Sequence, residues 1–103
     1  MTAQGHPRAI FSRAIERGNL VAAEASAREV GNLTLEEALR PLFLYAAKDP
    51  VKYERAALRW LARYATGGKA VTLLKVQLAA SALAEMRAGE REAAAKLLIE
   101  LAR

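Results

Sequence analysis

Apolar residues recur along this chain every three or four positions, which is the spacing of one face of an α-helix. No segment shows the period-two alternation that a half-buried strand needs. Residue types that stop and start helices interrupt the pattern at five places. These are Gly18-Asn19, Gly31-Asn32, Asp49-Pro50, Gly67-Gly68 and Gly89. The pattern therefore predicts an all-α fold of about six short helices.

The connections between the predicted helices are only a few residues long. Short connections place neighbouring helices antiparallel, so six helices should form three helical hairpins. The hairpins can close into a compact bundle or stack as a short solenoid, and the sequence leaves both arrangements open. The length of 103 residues fits a single domain, 1–103, in which we expect residues 1–6 to be a flexible tail.

The third predicted helix contains a proline. It begins with a capping box at Thr34 and Glu37, and Pro41 follows seven residues after the cap. Proline has no N–H to bond the carbonyl of Glu37, so we expect a kink or a break at this point. The expected kink has two interpretations: a bend that wraps the helix round the core, or a groove with a binding role.

The fifth predicted helix, which follows Thr72, is apolar nearly all round. A helix of this kind is either central in its own fold or covered by another subunit. We expect the other five helices to cover it. The core should contain nine large side chains: Leu39, Leu42, Phe43, Leu58, Leu61, Leu78, Leu83, Leu98 and Leu101.

The fourth predicted helix has two distinct sides. Its apolar side should join the core and consists of Tyr53, Ala57, Trp60, Leu61 and Tyr64. Its other side is basic, with five cations within an arc of about 80° if the helix direction is extended back to residue 48. These are Lys48, Lys52, Arg55, Arg59 and Arg63. We expect the last four to be exposed, with guanidinium groups free of carboxylate partners. The face is either solvated or a surface that binds nucleic acid or an acidic protein.

The residues that usually carry chemistry are scarce. Cysteine is absent, which excludes a disulfide framework, a thiolate zinc site and a cysteine nucleophile. One histidine, His6, and one aspartate without any cysteine cannot assemble an ordinary transition-metal site. His6 lies in the polar N-terminal segment, and the serines lack a histidine base. We therefore expect no enzymatic activity, cofactor, metal or small-molecule substrate.

The lengths of the apolar runs and the composition of the N-terminal segment indicate where the protein is located. The net charge is +5, and no apolar run approaches the ~20 residues of a membrane span. The segment from Met1 to His6 lacks the apolar core of a signal peptide. We expect a cytoplasmic protein that does not enter a membrane.

Five segments support a resemblance, and none of them is a catalytic motif. They are Arg17-Gly18-Asn19, Ala25 to Gly31, Leu33 to Leu39, Lys48-Asp49-Pro50 and Ala57 to Leu61. Through them the stretch from Phe11 to about Tyr64 resembles small uncharacterised all-helical proteins of high-GC actinobacteria. The resemblance covers about half of the chain and implies a source of that kind, with no particular activity.

These observations favour a non-enzymatic interaction module that binds a protein partner, or itself, through a helical face. The alternative is a nucleic-acid-binding protein that contacts phosphates through the basic side of the fourth helix.

Overall fold

The computed structural model describes residues 6–67, 70–89 and 91–103. This part of the chain forms six helices and no strand, so the predicted all-α fold is confirmed. The helices are α1 (Pro7–Glu16), α2 (Leu20–Val30), α3 (Leu35–Lys48), α4 (Pro50–Gly67), α5 (Leu73–Ala88) and α6 (Arg91–Ala102). The predicted tail lies outside the described residues except for His6.

Side-chain caps determine where several helices begin. Thr34 and Glu37 form the predicted capping box of α3, and the side chains of Asn19 and Thr72 cap α2 and α5. His6 also caps a helix, because its Nδ1 accepts a hydrogen bond from the backbone N–H of Arg8 at 3.2 Å. His6, which we expected in the tail, is thus the N-terminal cap of α1.

Helices α3 to α6 form a closed four-helix bundle. Each packs against the next along the chain, and α6 packs back against α3. The hairpin of α1 and α2 lies outside this ring and packs mainly on α3. The contact between α6 and α3 distinguishes a bundle from a solenoid, in which hairpins would stack without closing a ring.

The bundle interior contains most of the predicted core. Leu39, Leu42, Leu83 and Leu98 are buried, as are the aromatic side chains of α4, whereas Phe43, Leu61 and Leu101 are half-buried. Two predicted core residues are wrong: Leu58 is 61% exposed and Leu78 is 40% exposed. Leu58 follows buried Ala57 by one position, which turns it about 100° towards solvent. The prediction for Leu78 was wrong because α5 has no polar side that would indicate which of its faces turns inward.

Helix α5 buries only one side. Ala79, Ala82, Leu83 and Met86 face the bundle, but Leu73 on the outer side is 90% exposed. The expectation that the other five helices cover α5 is therefore wrong for its outer face.

Pro41 does not break α3, which runs as one helix from Leu35 to Lys48.

Polar contacts join the α1–α2 hairpin to the bundle, in addition to apolar packing such as that of Leu20 on the core cluster. Its own buried residues, Phe11, Ala14 and Ala23, are not part of the main core cluster. Arg8 on α1 forms an ion pair with Glu37 on α3, with 2.7 Å between Nε and Oε2. Glu24 on α2 accepts from Lys52 on α4 and from the hydroxyl of Tyr45 on α3.

Acid should release this hairpin before it unfolds the bundle. The bond from Lys52, and then that from Tyr45, lowers the pKa of Glu24 below its ordinary value of 4.5, and the bond from Arg8 does the same for Glu37. A depressed carboxyl pKa contributes stability that is complete above about pH 4.5 and is lost as the pH falls through the folded-state value. In ¹H–¹⁵N NMR spectra recorded from pH 7 down to pH 2.5, the amides of α1 and α2 should change first.

The paired variant Glu24→Gln and Glu37→Gln provides the control, since neither side chain can then titrate. It should show the loosened hairpin already at pH 7 and a flatter response to acid. If all six helices changed at one midpoint in both proteins, these two carboxylates would not be what holds the hairpin.

Candidate interaction face on helix α4

Helix α4 is the longest helix of the molecule, with 18 residues. Asp49 supports its first turn, because Oδ1 accepts from the backbone N–H of Lys52 at 3.2 Å. Tyr53, Trp60 and Tyr64 are buried along its inner side. The opposite side of the helix is exposed to solvent.

All five predicted cations are exposed, but Lys48 is the last residue of α3 and not part of α4, and both lysines have structural partners. Lys48 donates from Nζ to the carbonyl of Gly18, 2.7 Å away. Lys52 lies 2.6 Å from Glu24 and 5.5 Å from the centre of the Tyr45 ring. The face is thus not free of carboxylates at Lys52, because the fold brings Glu24 of α2 to it across 28 positions of sequence.

The three arginines agree more closely with the expected absence of carboxylate partners. Arg63 donates from Nη2 to the carbonyl of Leu33 at 2.6 Å, which fixes the guanidinium without neutralising its charge. Within the residues that the structure describes, Arg55 and Arg59 form neither an ion pair nor a side-chain hydrogen bond. Two unpaired guanidinium groups, one turn apart, therefore lie in the middle of the face.

An apolar strip that was not among the sequence predictions runs beside Arg55. Val51 is 74% exposed, and Leu58 and Ala62 are exposed on the same side of α4. At 100° per residue, these three side chains lie within an arc of about 40° that borders Arg55. The signal was present in their spacing, but assigning Leu58 to the core hid it.

Two shallow grooves flank α4. The groove between α3 and α4 has a volume of about 240 Å³; Pro41, Tyr45 and Ala56 contribute to its lining, with Arg59 and Arg63 on the α4 side. The groove between α4 and α5 has a volume of about 230 Å³ and includes Leu58 and Leu61. Pro41 thus lines a groove, and the charged wall of this groove belongs to the basic face.

The aromatic residues of α4 are structural. Trp60 donates from Nε1 to the carbonyl of Leu35 at 2.9 Å and stacks on Tyr64 with 5.3 Å between ring centres. Tyr53 donates to the carbonyl of Leu83, and burial raises its pKa to about 12. None of these rings is presented to solvent for stacking on a base.

Two further observations concern the described residues as a whole. They contain no group of three or more histidine, cysteine or acidic side chains that could hold a metal ion. None of their helices combines the length and apolar character needed to span a bilayer.

Comparison with known proteins gave no relative. No protein-family model matches the chain, and neither the curated proteins nor the solved structures contain a match.

Proposed function

We propose that this chain is a non-enzymatic interaction module that binds an acidic segment of a protein partner along the outer face of α4. One observation carries the proposal: exposed Val51 and Leu58 border Arg55 on α4, and neither Arg55 nor Arg59 has a carboxylate partner in the described part of the chain. The face thus offers apolar area and positive charge together.

This combination matches one side of an amphipathic acidic helix. Covering exposed apolar side chains contributes roughly 25 cal/mol per Å² of area removed from water. Carboxylates on the partner can accept charge-assisted hydrogen bonds from guanidinium groups, whose fork geometry suits them. A helix laid along α4 would place apolar residues on the strip and acidic residues over Arg55 and Arg59.

Nucleic acid is the second candidate. The row from Lys52 to Arg63 on α4 extends for about 17 Å at 1.5 Å per residue, with one carboxylate, that of Glu24, on it in the described residues. Phosphate binding would use the charges but not the exposed Val51 and Leu58. A protein partner uses both, and for this reason we favour it. The absence of cysteine is compatible with the cytoplasmic location that we propose.

The test is capture from a nuclease-treated lysate of the source organism, followed by titration of any captured protein against variants. Arg55→Gln with Arg59→Gln should weaken binding at least about tenfold, which corresponds to ~1.4 kcal/mol. Arg13→Gln with Arg28→Gln removes the same charge from α1 and α2, and should leave binding nearly unchanged.

The apolar strip is tested separately. Leu58→Ser should also weaken binding severalfold, whereas Val21→Ser, at an exposed apolar position on α2, should not. If a captured protein bound all four variants alike, the proposal that it binds along the outer face of α4 would be refuted. If the chain instead shifts labelled DNA and RNA, with affinity falling linearly in log salt and no dependence on Leu58, the nucleic-acid function replaces the proposed one.

A further inference from the structure

We propose that the groove between α3 and α4 receives one large apolar side chain of the acidic partner segment, while a carboxylate beside that side chain binds Arg59 and Arg63. This inference rests on the proposed function and names the pair of residue types that the partner must present. The segment then crosses α4 obliquely, from the apolar strip at one end to the groove at the other.

The size of the groove suits a single side chain. Its volume is about 240 Å³. An apolar cavity of about 150 Å³ is already large enough to hold a benzene ring. Sites that bind whole small molecules usually begin at about 300 Å³. The groove therefore has room for one leucine, methionine or aromatic side chain of a partner, and is small for an independent small molecule.

The floor of the groove is apolar. Pro41 and Ala56 contribute to it and are half-buried. The polar atoms of its two aromatic side chains already have partners, because the Tyr45 hydroxyl donates to Glu24 and Trp60 Nε1 donates to a backbone carbonyl of α3. A polar group inserted between these side chains loses its hydrogen bonds to water, so the inserted side chain must be apolar.

The wall of the groove on α4 is positive. Arg59 and Arg63 lie one helical turn apart, and no acidic side chain of the described residues lines the groove. The bond to the carbonyl of Leu33 fixes the Arg63 guanidinium and leaves its other N–H groups to donate. A carboxylate between the two guanidinium groups relieves their repulsion and accepts charge-assisted hydrogen bonds from both. The groove between α4 and α5 has no such excess, because Glu54 and Arg87 both line it.

The arginines of α4 lead from the apolar strip to this groove. Residues four positions apart on an α-helix differ by about 40° in direction. Arg55 borders the strip, and Arg59 and Arg63 follow in steps of about 40° towards α3, where both line the groove. An acidic segment that follows the three guanidinium groups therefore contacts the strip first and the groove last.

Peptides selected from a phage-displayed random library on the immobilised whole chain provide the probe. The enriched peptides should share a large apolar residue next to carboxylates. Fluorescence anisotropy then measures binding of one synthetic peptide to the wild type and two variants. Ala56→Leu, which fills the groove, should weaken binding about tenfold. Ala25→Leu, the same change at an exposed position on α2, should not. Circular dichroism verifies that each variant is folded.

A change in the peptide tests the groove without altering the chain. Replacing the apolar residue of the peptide by alanine should weaken binding to the wild type by about the same factor. It should have little further effect on Ala56→Leu, because the groove is already filled there. Equal losses with both proteins would show that this side chain binds elsewhere and would overturn the inference.

This inference and the proposed function fail in different ways. Enriched peptides without carboxylates, or a peptide whose affinity is unchanged by Arg55→Gln with Arg59→Gln, would contradict the proposed function. If that double variant weakens binding but Ala56→Leu and Arg63→Gln do not, the acidic segment binds α4 and the groove is not part of its site.

Discussion

Replacing Leu39 by alanine is expected to lower the free energy of unfolding by ~2–5 kcal/mol. Leu39 is fully buried on α3, the helix on which the α1–α2 hairpin packs and which also contacts α4, α5 and α6. Alanine keeps the helix but leaves a cavity, because the surrounding helices cannot move together to fill it. In thermal unfolding, the midpoint should fall by about 10 °C or more, given about 4–8 °C per kcal/mol for a domain near this size.

Leu58→Ala is the matched control for this prediction. It removes the same atoms from α4, but the side chain is mostly exposed, so the free energy of unfolding should change by less than about 0.5 kcal/mol. Equal melting shifts for the two variants would show that Leu39 is not at the centre of the core or that Leu58 is covered in solution.

Trp60→Ala should cost ~3–5 kcal/mol, the largest effect expected for a single side chain. The indole is 4% exposed, stacks on Tyr64 and donates to the carbonyl of Leu35 in the first turn of α3. Removing it takes away contact area, an aromatic pair and the hydrogen bond that joins α4 to α3. Urea unfolding followed by circular dichroism should show a lower midpoint with little change in slope.

Trp60→Phe separates these contributions. Phenylalanine keeps an aromatic ring next to Tyr64 but cannot donate to Leu35, so the loss should be about 1–2 kcal/mol, mainly the hydrogen bond and the smaller ring. A loss as large as that of Trp60→Ala would mean that stacking contributes little, and a loss near zero would mean that the bond to Leu35 is unimportant.

The helices and the inner side of α4 could be predicted from the sequence because both depend on local signals. Caps and glycines such as Thr34 and Gly31 act within a few residues. The polar and apolar sides of α4 are distinct enough to orient Tyr53 and Trp60 correctly. The orientation of α5 could not be predicted, since residues such as Leu73 and Leu83 differ only in what the tertiary structure places over them.

The candidate site on α4 could also be predicted only where it depends on local sequence spacing. The spacing of Arg55 and Arg59 predicted a shared basic face, and both are exposed as expected. The ion pair between Lys52 and Glu24 was not predictable, because it depends on how the α1–α2 hairpin packs against the bundle. No pattern within α4 or α2 alone contains that information.

Because Glu24 of the α1–α2 hairpin forms an ion pair with Lys52, the hairpin competes with any acidic ligand of α4 for Lys52. An acidic ligand that extends along α4 as far as Lys52 must displace Glu24, a carboxylate already held at high effective concentration. Its affinity is reduced by the free energy of that displacement. By thermodynamic reciprocity, the ligand loosens the hairpin by the same amount. Glu24→Gln would therefore strengthen binding at the Lys52 end of α4 while leaving Arg55 and Arg59 unchanged.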